Sequence, residues 1–157
     1  RYNRAIVTSS VRHFPMVDAH GRGSSPLGSR SWEIYNNTFS TDLAANEKAR
    51  AVIGIRGGDG VVFNNMVTNP LTVRRMIDLS ALEVALPYPW MNQMRSGYFW
   101  NNSLDLLVNE APSNFVLGRD YFLTARPGYT PYVYPHPLRS SQVAATPPVA
   151  PSNLRVE

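Results

Sequence analysis

A short apolar strand followed by a pair of asparagines recurs three times along the chain. The copies are residues 34–39 (IYNNTF), 62–67 (VFNNMV) and 99–104 (FWNNSL). The second asparagines lie 28 residues apart from Asn37 to Asn65 and 37 residues apart from Asn65 to Asn102. A weaker copy, residues 6–11 (IVTSSV), places Ser9 another 28 residues before Asn37. Recurrence of one element at such spacing predicts stacked, equivalent units.

The composition of these segments favours strands over helices. They are short and rich in β-branched and aromatic residues, which suits a pleated strand. Alternate residues of a strand face opposite sides, so inward-facing Ile34, Val62 and Phe99 would place the first asparagine of each pair inside as well. We therefore predict an inward asparagine ladder, with the second asparagine in a left-handed turn. The predicted ladder residues are Asn36, Asn64 and Asn101.

The pattern predicts an all-β fold, a right-handed parallel β-helix of about four coils. A β-sandwich also uses short strands and Gly/Asn turns, so it stays an alternative, although the equal 28-residue steps argue against it. Residues 42–51 and 76–86 have the best helical patterns and lie between the repeats. We interpret both as excursions from the coils.

The residue before each asparagine pair is aromatic: Tyr35, Phe63 and Trp100. In this register the three rings form a column on the outer face of one sheet, because stacked coils lie about 4.8 Å apart. An exposed aromatic column would suit the faces of sugar rings, and these three residues are the predicted substrate-binding residues. The alternative is that a loop or the Pro/Tyr-rich tail (Tyr129, Tyr132, Tyr134) covers the column.

Composition narrows the function classes. The 157 residues are 43% hydrophobic and contain no cysteine, which excludes a disulfide scaffold, a zinc-thiolate site and thiol catalysis. The net charge is +4, but the arginines are scattered and form no basic run, so nucleic acid is not the expected partner. No apolar run is long enough to span a membrane. Phosphate-loop, nucleophile-elbow and HExxH motifs are absent from the sequence.

Several segments resemble secreted bacterial right-handed β-helix proteins of the pectate-lyase-like superfamily. The segments are 20–23 (HGRG), 30–39 (RSWEIYNNTF), 56–65 (RGGDGVVFNN), 118–122 (GRDYF) and 126–138 (RPGYTPYVYPHPL). The resemblance covers residues 1 to about 139 and implies the C-terminal part of a longer β-helix, in a secreted or cell-surface protein. Residues 140–157 are rich in Ser, Ala, Thr and Pro and are expected to be a linker. The last eight residues are similar to the first strand of a fibronectin type III module.

A group of polar residues supplies the weak catalytic candidates. They are His20, Arg22, Arg30, Glu33, Arg56 and Asp59. Arginines could bind a carboxylated sugar while His20 acts as acid or base, or the group could simply fasten the loops between coils. Calcium is the one cofactor considered. Asp18, Asp42 and Asp59 do not align in the repeat register, so a calcium site built from several aspartates is not indicated and no cofactor is predicted.

Two classes of function follow from these observations. The first is an extracellular module that recognises or helps to process a polysaccharide, with an acidic glycan favoured by the arginines, and with no recognisable catalytic signature. The second is a non-catalytic structural, fibre-forming or spacer module. In either class the N-terminal end of the coils is expected to meet upstream coils or another chain, and self-association is a further expectation.

Overall fold

Parallel β-strands make up the regular structure of the described part of the chain. A computed structural model describes residues 3–7, 15–20, 29–42, 50–69, 73–80, 93–103, 107–109 and 114–133. These residues form strands and no helix, and thus no helix long and apolar enough to cross a membrane is found in this part of the chain. The strands are β1 (Arg4–Val7), β2 (Val17–Ala19), β3 (Ser31–Tyr35), β4 (Thr38–Thr41), β5 (Ile53–Ile55), β6 (Asp59–Phe63), β7 (Met66–Val67), β8 (Ile77–Leu79), β9 (Gly97–Trp100), β10 (Leu107–Asn109) and β11 (Tyr121–Phe122).

The strands belong to three sheets, and every pairing between them is parallel. Sheet A has the order β1-β4-β7, sheet B the order β2-β5-β8-β10, and sheet C the order β3-β6-β9-β11. From β1 to β9 the chain visits sheets A, B and C in turn, so that each circuit of three strands lies beside the circuit before it. This all-β arrangement of stacked parallel strands is compatible with the predicted parallel β-helix.

Apolar side chains from all three sheets meet in one core. Phe39 and Val67 enter it from sheet A, Ile53, Ile55, Ile77 and Leu79 from sheet B, and Trp32, Val62 and Phe99 from sheet C. Gly60 pairs with Trp32 on one side and with Gly97 on the other in sheet C, and the rings of Trp32 and Phe99 stack with centroids 5.8 Å apart. A Cβ atom on Gly60 would lie 2.6 Å from the Trp32 ring and 2.0 Å from its carbonyl oxygen, so only glycine fits.

An asparagine ladder runs between sheets C and A, but through different residues from those predicted. Asn37, Asn65 and Asn102 carry it, with Asn3 at its N-terminal end. At each step the backbone N and the Nδ2 of one asparagine donate to the Oδ1 of the next. The donor–acceptor distances are 2.8–3.2 Å.

The predicted ladder residues Asn36, Asn64 and Asn101 form the turn instead. Their φ angles are 54°, 52° and 50°, in the left-handed region that asparagine tolerates. A residue in this conformation ends the strict alternation of the strand, so the side chain that turns inward is that of the following asparagine. The prediction exchanged the two roles because it extended strand alternation one residue too far.

Two other predictions differ from the structure. Val7 pairs with Thr41 and Arg4 with Thr38, so Asn3, and not Ser9, is the equivalent of Asn37. Residues 77–79, inside the predicted helix 76–86, form β8, because Ile77 and Leu79 alternate into the core between β5 and β10. Residues 43–49 of the other predicted helix, residues 81–86 and the predicted linker lie outside the described residues.

Candidate functional site

The three aromatic residues that precede the asparagine pairs form a stacked column on the outer face of sheet C. The rings of Tyr35 and Phe63 are 4.7 Å apart at 6°, and those of Phe63 and Trp100 are 4.4 Å apart at 4°. The strand register of sheet C places them directly beside one another. A second stack, of Tyr98 on Phe122 at 4.7 Å, follows the same face toward β11.

The tail that follows β11 folds back over the aromatic column. Tyr129 packs edge-on against Phe63 and Trp100, with ring centroids 5.8 Å and 6.2 Å away. Its hydroxyl donates a hydrogen bond of 2.7 Å to Oε1 of Glu33. Tyr35 and Phe63 are consequently only 4% and 7% exposed, while Trp100 is half-buried. Tyr35 and Phe63 have the covered arrangement of the two alternatives, whereas part of the Trp100 surface stays exposed.

A groove of about 460 Å³ lies beside the covered column, between sheet C and the tail. Its floor carries Ser31, Glu33 and Asp59 from β3 and β6. Its wall is formed by the tail, which contributes Arg126, Tyr129 and Tyr132. Tyr132 is 62% exposed and therefore presents a ring to solvent at the groove. A groove of this size with aromatic walls and a few polar groups has the character of a small-ligand site.

The two carboxylates of the groove are bound to hydroxyl groups. Asp59 accepts a hydrogen bond of 2.9 Å from the Ser31 hydroxyl, and Glu33 accepts the bond from Tyr129. Both acidic residues are half-buried. Among the described residues neither carboxylate forms an ion pair with a basic side chain. Arg126, the basic residue of the groove wall, lies instead over the Tyr98 ring, with its Cζ 5.9 Å from the centroid.

The structure separates the polar candidates that the sequence grouped together. Glu33 and Asp59 line the groove on sheet C. His20 and Arg56 follow β2 and β5 of sheet B, where Arg56 contacts His20 Nε2 at 3.4 Å and forms an ion pair with Asp18 at 2.9 Å. Arg30 is exposed, and its carbonyl oxygen accepts the backbone N–H of Asp59. Arg22 lies outside the described residues.

Four of the groove residues named above were not among the predicted site residues: Ser31, Arg126, Tyr129 and Tyr132. Ser31 is the equivalent of Asp59 in the sheet register, 28 residues earlier, so the repeat spacing itself could have identified it. Arg126 could not be found in this way, because the tail has no counterpart in the repeats. In the described part of the chain no three His, Asp or Glu side chains come together as a metal site, and Asp18, Asp42 and Asp59 lie on different sheets or beyond a strand end.

Comparisons of the chain with protein-family models, with curated proteins and with solved structures found no match.

Proposed function

We propose that the protein is the C-terminal part of a right-handed parallel β-helix of the pectate-lyase-like kind, secreted or displayed at a cell surface. We propose further that it binds a polysaccharide in the groove between sheet C and the tail. The role is recognition, and catalysis by this segment is not part of the proposal. The stacked parallel sheets and the continuous asparagine ladder support the fold. The secreted location rests on the resemblance stated above.

The groove carries the functional part of the proposal. Half-buried carboxylates beside aromatic rings are suited to sugars, because carboxylate oxygens accept hydrogen bonds from sugar hydroxyls while ring faces pack on the apolar faces of sugar rings. Asp59 already accepts a hydrogen bond from the Ser31 hydroxyl, and Glu33 accepts one from the Tyr129 hydroxyl. Sugar hydroxyls in the groove would make further contacts of the same kind. The exposed Tyr132 ring supplies a contact surface at the rim.

A glycan-binding assay on the full chain tests the proposal. Oligosaccharides of neutral, acidic and basic sugars are titrated calorimetrically against the chain and against Tyr132→Ala. We expect one class to bind and Tyr132→Ala to weaken that binding about tenfold, since a contacting aromatic ring commonly dominates such interfaces. The matched control is Leu123→Ala, which removes an exposed apolar side chain of the same tail outside the groove. A folded chain that binds no oligosaccharide contradicts the proposal.

A structural or spacer module is the second candidate. The observation that favours it is the closure of the aromatic column by Tyr129, which converts a surface suited to ligands into internal packing. This function requires no ligand and predicts association between copies or with other coils. Sedimentation of the full chain over a range of concentrations distinguishes the two candidates when it is read beside the glycan titration.

A further inference from the structure

The groove on sheet C has an excess of negative charge, although the whole chain has a net charge of +4. Glu33 and Asp59 lie on its floor, and among the described residues that line it Arg126 is the single basic one. The local charge is therefore opposite in sign to that of the protein. The total charge of the protein, which favours an acidic glycan, therefore does not describe this surface.

The two carboxylates of the groove are also able to bind a positively charged group. Their contacts in the described structure are the hydroxyls of Ser31 and Tyr129, which are neutral donors. Arg126 is directed to the Tyr98 ring, so its guanidinium does not neutralise the floor as an ion-pair partner. Half-buried carboxylates with only neutral partners interact favourably with an incoming cation, because charge-assisted hydrogen bonds are stronger than neutral ones.

The aromatic walls point to the same class of ligand. Tyr129 and Tyr132 line the groove together with the carboxylates, and the Tyr129 hydroxyl contacts Glu33 directly. The face of a tyrosine ring attracts a cation that approaches within about 6 Å. An ammonium group in the groove would thus lie near both carboxylate oxygens and tyrosine rings, while the hydroxyls of the same sugar bind as the proposed function requires.

From the groove's charges and rings we infer that the glycan bound in this groove carries protonated amino sugars, such as a polymer of glucosamine; this inference rests on the proposed function. A uronate would bring its carboxylate toward Glu33 and Asp59, and like charges at close range repel. A neutral glycan would make the hydroxyl contacts without the contribution of the cation. The expected order of affinity is amino sugar, then neutral sugar, then uronate.

The test compares three oligosaccharides of equal length: glucosamine, glucose and galacturonate oligomers. They are titrated against the full chain at slightly acidic pH, where the amines are protonated and the uronates are ionised. We expect the glucosamine oligomer to bind roughly two- to fivefold more tightly than the glucose oligomer, as partly exposed charge contacts of this kind allow. Added salt should reduce this ratio, because it screens the charges.

Two charge-removing variants test the residues. The double variant Glu33→Gln/Asp59→Asn keeps oxygen acceptors of similar shape, and it should bring the ratio of glucosamine to glucose affinity close to one. Asp42→Asn removes the same kind of charge from an exposed position after β4, and it should leave the ratio as it is. Circular dichroism verifies that each variant retains the β-sheet spectrum.

The outcomes separate this inference from the proposed function. Equal affinity for glucosamine and glucose oligomers, or tighter binding of galacturonate, overturns the inference and leaves carbohydrate binding in place. A ratio that survives in the Glu33→Gln/Asp59→Asn variant also overturns it, since the selectivity would then originate elsewhere. Failure of the folded chain to bind any of the three oligomers contradicts the proposed function and the inference together.

Discussion

Asn37 and Asn65 are 28 residues apart in the chain and are joined by two hydrogen bonds to a single oxygen. The Nδ2 of Asn37 donates to Oδ1 of Asn65 at 2.8 Å, and its backbone N donates to the same atom at 3.2 Å. Asn65 repeats this pattern toward Asn102 and also donates from Nδ2 to the carbonyl oxygen of Ile34. The side chain of Asn65 thus satisfies polar groups from two neighbouring circuits.

Substitution of Asn65 by alanine should therefore be much more costly than the same change at Asn64. Asn65 is only 1% exposed, and its removal leaves the donors of Asn37 without their acceptor. We expect Asn65→Ala to lower the free energy of unfolding by about 3 kcal/mol. Asn64→Ala keeps the ladder and should cost about 1 kcal/mol for the left-handed backbone at φ 52°. Urea denaturation measures both values, and a larger loss at Asn64 would refute the assignment of roles.

A methyl group at Gly60 should disrupt the stacking of Trp32 on Phe99. The close approach to the Trp32 carbonyl oxygen and ring cannot be relieved by rotation of a flexible side chain, because one of the contacts is to the backbone. Gly60→Ala should cost about 3 kcal/mol of unfolding free energy, at the upper end for overpacked sites. The control is Gly118→Ala, where φ is also positive but no atom of the other described residues lies within 4 Å of the added Cβ. That variant should lose only about 1 kcal/mol, and equal losses would argue against steric contact as the cause.

Removal of the Tyr129 ring should open the aromatic column to solvent. Tyr129 covers Phe63 and Trp100 edge-on, so Tyr129→Ala should increase the quenching of Trp100 fluorescence by acrylamide. Tyr129→Phe keeps the ring and loses the hydrogen bond to Glu33, so it should leave the quenching close to that of the parent chain and cost about 1 kcal/mol of stability. In a Trp100→Phe background the increase caused by Tyr129→Ala should disappear. Persistence of the increase would mean that another tryptophan is responsible.

Asp120 should be the most sensitive residue of the turn before β11. Its side chain is fully buried, and Oδ2 accepts the backbone N–H of Val116 and two bonds from the Arg119 guanidinium. Asp120→Ala leaves the Val116 N–H without this acceptor and removes two hydrogen bonds of Arg119, so it should lower the free energy of unfolding by about 2 kcal/mol.

The variant Asp120→Asn separates the hydrogen bonds of this turn from its charge. It keeps one carbonyl oxygen for Val116, so its loss in urea denaturation should be clearly smaller than that of Asp120→Ala. Identical losses would indicate that the charge of Asp120, and not the acceptor, supports the turn.

The repeat in the sequence favoured parallel strands over the alternative of a β-sandwich, and it predicted the aromatic column. Tyr35 and Phe63 are 28 residues apart in the chain, and they occupy neighbouring positions on adjacent parallel strands. The identity of the ladder asparagine was not predictable by alternation alone, because one left-handed residue reverses the direction of the next side chain. The helical interpretation of residues 77–79 failed because core contacts with β5 determine the structure of that short segment.

The groove was less accessible to prediction than the sheets. Its floor follows from the repeat, since Ser31 and Asp59 are equivalent positions. Its wall depends on the contact of Tyr129 with Glu33, two residues separated by 96 positions, and no periodic signal in the tail encodes this contact. The choice between an exposed and a covered column was open for the same reason, because the cover lies in a segment with no counterpart in the repeats.

The spacing of the ladder has a consequence for how such a chain can change in length. The steps from Asn3 to Asn37 and from Asn65 to Asn102 are longer than the step between them, yet the bonding pattern is the same. The difference in length lies mainly in the connections from sheet B to sheet C. These connections are residues 20–30 in the first circuit and 80–96 in the third, whereas the middle circuit has only residues 56–58 there. Insertions at this corner therefore leave the alignment of the strands intact. The corner is the place where new sequence could be acquired during evolution, or grafted by design, without refolding of the rest.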